Sequence, residues 1–264
     1  MISHYELYMS IIQSKATSMY GRGTIDRVKT GIDGLDNIIK GGVPKNSITL
    51  ISGQPGSGKT ILCYQYLYKG IQEGEKCLFL TMDKKIDGVL SQARNLGFDF
   101  QPAIEKGQAK FLFLNINKKL IYETMTNEIL SGEYDRVVLD SITPLSEMPI
   151  YVKNANISSS DINIVNPDDF SSEANFPIRR LHLHYIMNTL ETSQCTSLVT
   201  SELPVGSSSL SRDGISEFLA DGVITLSLDP TMDRRKLSVM KMRNTKHTLK
   251  PQDIEIGEGG IKFS

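Results

Sequence analysis

Short apolar runs alternate with longer, helically spaced stretches from Val28 to Thr200. Ser47 to Ser52, Cys77 to Thr81, Lys110 to Leu114, Arg136 to Asp140 and Thr196 to Thr200 are rich in β-branched and apolar residues and predict buried strands. Between them lie four predicted helices. One runs from Ile61 to Gly70 or Gly74, one from Ile86 to Leu96 before Gly97, one near Leu120 to Leu130, and one from Pro177 to Thr192. Strands that are apolar throughout and separated by helices imply a parallel sheet covered on both faces, an α/β fold.

The pattern changes near Gly222. Gly222 to Leu228 and Lys236 to Met242 flank a turn containing Asp229-Pro230, while Asp253 to Ile256 and Gly260 to Phe263 flank Gly257. Both pairs read as antiparallel hairpins. Residues 1–26 form a weakly patterned N-terminal extension, and residues 27–264 form one domain without an internal repeat. Residues 154–175, rich in Ser, Asn and Asp, predict a long mobile loop, either functional or a tolerated surface insertion.

Composition narrows the function classes. Hydrophobic residues at 39% and charged residues at 22% are ordinary for a soluble globular chain. A net charge of −1 gives no general attraction to nucleic acid or anionic membranes. No apolar run approaches the roughly 18 residues that span a bilayer, and the N-terminus has no apolar core of signal-peptide type. Cys63, Cys77 and Cys195 lack C-x-x-C spacing and sit in apolar segments, as buried free thiols of a reducing compartment do. The expected location is the cytoplasm.

The chemistry starts at Gly53-Gln54-Pro55-Gly56-Ser57-Gly58-Lys59-Thr60, which fits the phosphate-binding pattern G-x-x-x-x-G-K-[ST]. A predicted strand ends at Gly53 and a predicted helix starts at Ile61, the setting this loop requires. Glycines let successive backbone N–H groups turn toward a phosphate, and the helix N-terminus adds partial positive charge. Lys59 is expected on the β- and γ-phosphates of ATP and Thr60 on Mg²⁺. Asp140, following an apolar strand, is the expected carboxylate for the same metal. Asp83, at the exit of the second strand, is either the base that activates water or a helix N-cap.

Gly31-Ile32-Asp33-Gly34-Leu35-Asp36, Gly41-Gly42-Val43-Pro44 and the glycine loop resemble the opening of KaiC-type domains of the RecA/RadA superfamily. The resemblance continues through Ser201-Glu202-Leu203-Pro204, through Ile215 to Val223, and through Lys241-Met242-Arg243-Asn244-Thr245-Lys246-His247. It implies a RecA-like core assembled as a ring, typically a hexamer, with Mg·ATP between subunits. By the same resemblance, Lys241 and Arg243 would neutralise γ-phosphate charge of a neighbouring subunit, as an arginine finger does. Met242, Thr245 and His247 would lie near that nucleotide, and Glu258 near the base. Read from its residues alone, the Lys-Met-Arg strand is also a solvated hairpin edge. The family usually carries two adjacent glutamates where this chain has Asp83 and Lys84. The resemblance therefore implies nucleotide binding more firmly than fast hydrolysis. The full-length clock protein has two such domains and this chain one, so clock function and autophosphorylation are not carried over.

Three functions fit these features: a regulatory ATPase acting through nucleotide-dependent assembly, a recombinase paralogue holding DNA, and a nucleotide-gated adaptor without hydrolysis. Residues 151–176 carry Lys153 against Asp161, Asp168, Asp169 and Glu173, and residues 204–214 carry one Arg and one Asp. Neither is the basic, aromatic groove that single-stranded DNA requires, which disfavours DNA as partner. The sequence names no protein partner. Among the remaining candidates, His182 and His184 lie two apart in a helix and cannot share a metal. Arg179 and Arg180 read as either pore-lining or a solvated first turn, and Arg234-Arg235-Lys236 as a turn facing water.

Overall fold

The computed structural model describes residues 25–116, 121–147 and 175–264. The chain enters through strand β1 (Arg27–Val28), helix α1 (Asp33–Ile38) and strand β2 (Val43–Pro44), with β1 and β2 paired as a small antiparallel ribbon. The alternating core follows: β3 (Ile48–Gly53), α2 (Lys59–Gln72), β4 (Cys77–Thr81), α3 (Ile86–Asn95), α4 (Gln101–Glu105), β5 (Ala109–Phe113) and α5 (Ile121–Ser131). After it come β6 (Arg136–Asp140), α6 (Thr143–Glu147), α7 (Asn175–Thr192), β7 (Thr196–Glu202) and α8 (Ser216–Leu219). Four strands close the chain: β8 (Gly222–Asp229), β9 (Arg234–Met242), β10 (Gln252–Gly257) and β11 (Gly260–Phe263).

One sheet of nine strands carries the fold, in the order β11-β10-β9-β8-β3-β7-β6-β4-β5. The six strands from β8 to β5 run parallel, and β9, β10 and β11 continue the sheet antiparallel. The fold is thus the expected RecA-like α/β core. The two C-terminal hairpins extend the same sheet rather than standing apart from it.

Two apolar clusters explain why the central strands are apolar on both sides. Leu62, Tyr66, Phe79, Val138 and Ile224 pack on one face, and Leu50, Leu80, Leu139, Leu183 and Val199 on the other. All are essentially inaccessible to solvent. At about 25 cal/mol per Å² of apolar area removed from water, such two-faced burial is the main force holding the sheet.

The expected helices are present. The sequence did not announce α1, α4, α6, α8 or the β1–β2 ribbon, each too short to show a period. Within α1, Asp36 is buried and accepts hydrogen bonds from the Thr30 N–H (2.9 Å) and hydroxyl (2.7 Å). Gly34 lies where any Cβ would come within 2.4 Å of Phe263, so α1 and β11 are packed together there.

The expected extension at 1–26 lies outside the described residues except for 25 and 26, and the expected loop at 154–175 except for Asn175, which begins α7. All three cysteines are buried free thiols. No helix among the described residues is long and apolar enough to cross a membrane.

Candidate nucleotide site

The sheet order sets the site before any side chain is considered. β3 ends in the glycine loop, β6 ends at Asp140, and β7 runs between them, with β4 on the far side of β6. Four parallel strands therefore release their C-terminal ends side by side, where open α/β sheets bind ligands. A cavity of about 330 Å³ lies there, lined by Pro55, Gly56, Gly58, Lys59, Thr60 and Ile61 from the loop. Asp83, Lys84, Gln92, Asp140 and Glu202 complete its polar wall.

The loop is held open by its glycines. Gly58 adopts φ +106° at the N-cap of α2, a conformation that favours glycine. A Cβ there would also come within 2.8 Å of Ile256, so β10 covers the back of the loop. Gln54 ties it to β8 by donating to the Leu228 carbonyl at 2.6 Å. The Gly53 carbonyl accepts both the Lys59 ammonium (2.8 Å) and the Leu203 N–H (3.0 Å).

Thr60 and Asp140 meet as the sequence anticipates. The Thr60 hydroxyl donates to Asp140 Oδ2 at 2.9 Å, and the Thr200 hydroxyl reaches Oδ1. The Ser57 hydroxyl is fully buried in the loop and has no hydrogen-bond partner among the described residues. No cluster of three or more metal-ligating side chains exists among the described residues. This donor set fits Mg·ATP. Magnesium is held by one or two protein oxygens together with phosphates and water, not by an all-protein cage.

Electrostatics follow from burial. Burial pushes the Lys59 ammonium below its ordinary range, opposed first by Glu202 and then by Asp140. Burial raises the Asp83 carboxyl, with Glu202 and Asp140 adding to the rise, while a bond from Ser141 (3.3 Å) and the charge of Lys84 oppose it. Asp83 is not the cap of α3. That position belongs to Lys85, which makes no side-chain cap bond. Lys84 lies across the cavity mouth with its ammonium 3.3 Å from Gln92 Oε1.

The residues at the end of β9 and in the segment after it are elsewhere. Lys241, Met242, Arg243, Thr245, His247 and, from the β10–β11 turn, Glu258 are absent from the lining of this cavity. Arg243 is half-exposed and paired with Asp221 at 2.9 Å. The Lys241 ammonium is held by the carbonyls of Ala220 (2.6 Å), Glu217 (3.0 Å) and Phe218 (3.5 Å) at the end of α8. Met242 points the other way. It is buried in the core against Gly222, so its side chain is closed to a nucleotide. Thr245 accepts a hydrogen bond from Arg27 at 3.1 Å, and the partly exposed His247 ring nitrogen lies 3.3 Å from the Thr248 carbonyl. Glu258 is exposed near Gly97, beyond the end of α3.

Thr81, Val89, Gln92 and Glu202 line the cavity without having been read from the sequence as part of the site. Glu202 lines the cavity although it stood out only as part of a family stretch. Arg235, expected to face water, also donates to the Gly56 carbonyl at 3.4 Å, because the β8–β9 pairing sets it opposite Leu228, whose carbonyl holds Gln54 of the glycine loop. His182 is buried beside Tyr122 and pushed down to about 4, whereas His184 is only partly covered, so the two do turn apart.

A parallel sheet releasing a glycine loop and a Thr–Asp pair into one cavity defines a P-loop nucleotide-binding protein of RecA type. Residues 28–264 match the family described as "ATPase: KaiC", and the chain belongs to that family. It is 30% identical to a UPF0273 protein of Pyrococcus horikoshii over 89% of this chain and 92% of the relative. It is also 30% identical to the circadian clock protein KaiC3 of Synechocystis, over 84% of this chain but 42% of that longer protein. Among solved structures, a KaiC-like protein of Pyrococcus horikoshii superposes with a TM-score of 0.73 at 29% identity, covering 91% of this chain and 100% of that one.

Proposed function

We propose that this chain is a slowly hydrolysing, Mg²⁺-dependent ATPase that acts through nucleotide-dependent assembly of a ring, typically of six copies, in the cytoplasm. The observation that carries this reading is the meeting of Lys59, the Thr60–Asp140 pair and Asp83 in one cavity, while Arg243 stands outside it and half-exposed.

Each group then has a task. Lys59 and the loop N–H groups grip the phosphates, and the Ser57 hydroxyl gains a partner there. Thr60 and Asp140 would hold a magnesium ion, whose charge offsets that of the phosphate oxygens. Asp83, its carboxyl raised by burial, orients and deprotonates the attacking water. Arg243 of a neighbouring copy supplies the cation the transition state needs, with Lys241 two residues before it at the end of β9. Thr245 and His247 follow on the same segment toward the neighbour's nucleotide, and Glu258 lies toward the base. Lys84 beside Asp83 opposes the carboxylate that deprotonates water, which favours binding over turnover.

Mass in solution with and without Mg·ATP, repeated with single-stranded DNA, tests the reading. A mass that rises with ATP alone supports it. A mass indifferent to ATP overturns the assembly role. Assembly that requires DNA replaces it with a recombinase-like function.

A further inference from the structure

β7 lies between the strand of the glycine loop and the strand of Asp140, and it ends at Glu202. Gly53 stands opposite Glu202 in the β3–β7 register, and Thr81 stands opposite Asp140 in the β4–β6 register. Thr200, reaching Asp140 from the other side, lies two residues before Glu202, just as Thr81 lies two residues before Asp83. Asp83, two residues past the end of β4, and Glu202, at the end of β7, therefore flank Asp140 from either side, and both line the cavity.

The backbone of Glu202 is fixed on both sides. Its N–H donates to Thr143 Oγ1 at 2.9 Å, and the next N–H, of Leu203, donates to Gly53 at 3.0 Å. Ser201 and Leu203 are buried while Glu202 is exposed to the cavity. No ion pair joins it to Lys59, whose ammonium is taken by the carbonyls of Gly53 and Gln54. A carboxylate held there repels a bound polyphosphate. Such a carboxylate aids hydrolysis where it acts in the transition state.

We propose that Glu202 is a catalytic residue of this site, acting on the attacking water from the side opposite Asp83. This rests on the ATPase reading above. The water oxygen bonds to the γ-phosphorus as the bond to the β–γ bridging oxygen breaks, and that oxygen keeps the electron pair on ADP. The water proton passes to the Asp83–Glu202 pair and from there to solvent, so the products are ADP, phosphate and a proton.

Single-turnover hydrolysis and ATP affinity by calorimetry, on the full chain and on E202Q and E202D, test the proposal. E202Q should lower the rate by about 10²-fold, in the usual range for losing a general base. ATP affinity should stay equal or tighten, and E202D should recover part of the rate. A parental rate in E202Q, or a rate loss matched by an equal loss of affinity, overturns the role of Glu202. Lys59→Ala run alongside separates the two readings. ATP affinity retained in that variant overturns the nucleotide site itself, whereas affinity lost there with a parental rate in E202Q overturns Glu202 alone.

Discussion

Thr60 donates its hydroxyl to Asp140 at 2.9 Å, joining the start of α2 to the end of β6 across two intervening strands of chain order. The pair is preset by the sheet, and Thr200 holds the other carboxylate oxygen. Asp140→Asn keeps an acceptor for one hydroxyl but removes the charge. The variant should fold, and the gain in ATP affinity on adding Mg²⁺ should fall by about 10–100-fold, the usual cost of disturbing a metal site. Calorimetry with and without Mg²⁺ checks this. An unchanged magnesium effect would remove Asp140 from the metal site.

Asp83 gives a stability test with a definite sign. Its folded carboxyl is raised above the ordinary 3.8, first by burial and then by Glu202 and Asp140. Protonation thus favours the folded state. The contribution is fully present below 3.8 and is lost as pH rises through the folded value. Asp83→Asn should therefore raise Tm at pH 7.5 and lose that advantage toward pH 4, while turnover falls more than ATP affinity. Thermal melts at the two pH values decide it, and equal melting curves at pH 7.5 would contradict the strain assigned to this carboxylate.

The site was legible where covalent spacing fixed it. Lys59 and Thr60 follow the glycines within a single loop, and Asp140 directly follows three apolar residues of β6. The same signal, an acid directly after a buried parallel strand, was available for Glu202 after Thr196 to Ser201, but nothing local ties it to the loop. Only the placing of β7 between β3 and β6 does so. Strand alternation puts the Met242 side chain on the opposite face from Lys241, in the core, which the motif resemblance does not reveal. Arg235 needed the tertiary fold, because its partner is a carbonyl about 180 residues upstream, and only the pairing of β9 with β8 beside β3 brings them together. The short helices α1, α4, α6 and α8 are fixed by tertiary contacts such as Gly34 against Phe263, not by periodicity.

Arg243 tests whether the site is shared. In the single chain its guanidinium pairs with Asp221, and the Asp221 carboxylate also accepts the Ile48 N–H at 3.0 Å. Arg243→Ala should leave ATP affinity within about threefold and lower hydrolysis by about 10³-fold, the lower range for an arginine finger. Mixing it with Lys59→Ala chains, each inactive alone, should restore part of the activity, because some interfaces then combine an intact loop with an intact arginine. Mixed assemblies without activity would argue against a finger supplied between copies.

Arg136 separates stability from function. It opens β6, at the end of the strand opposite Asp140, and its side chain is wholly buried. Its guanidinium pairs with Glu75 and with Glu73 (2.9 Å), donates to the carbonyls of Lys29 (2.7 Å) and Tyr66 (2.8 Å), and lies over the Tyr66 ring at 4.6 Å. Arg136→Ala would strand two carboxylates and two carbonyls. Breaking a buried pair costs about 3–5 kcal/mol. Both glutamates keep about a third of their side-chain surface exposed and can rehydrate, which places the cost at the lower end. A loss of about 3 kcal/mol corresponds to a fall in Tm of roughly 6–12 °C in a domain of this size. Arg136→Lys should fall between, since an ammonium cannot serve both glutamates and both carbonyls as a planar fork does. ATP affinity, measured well below the variant's Tm, should remain parental, because the cavity lies at the other end of the sheet. A parental Tm in Arg136→Ala would deny the network its structural weight, and a loss of ATP affinity in the folded variant would mean that the two ends of β6 are coupled.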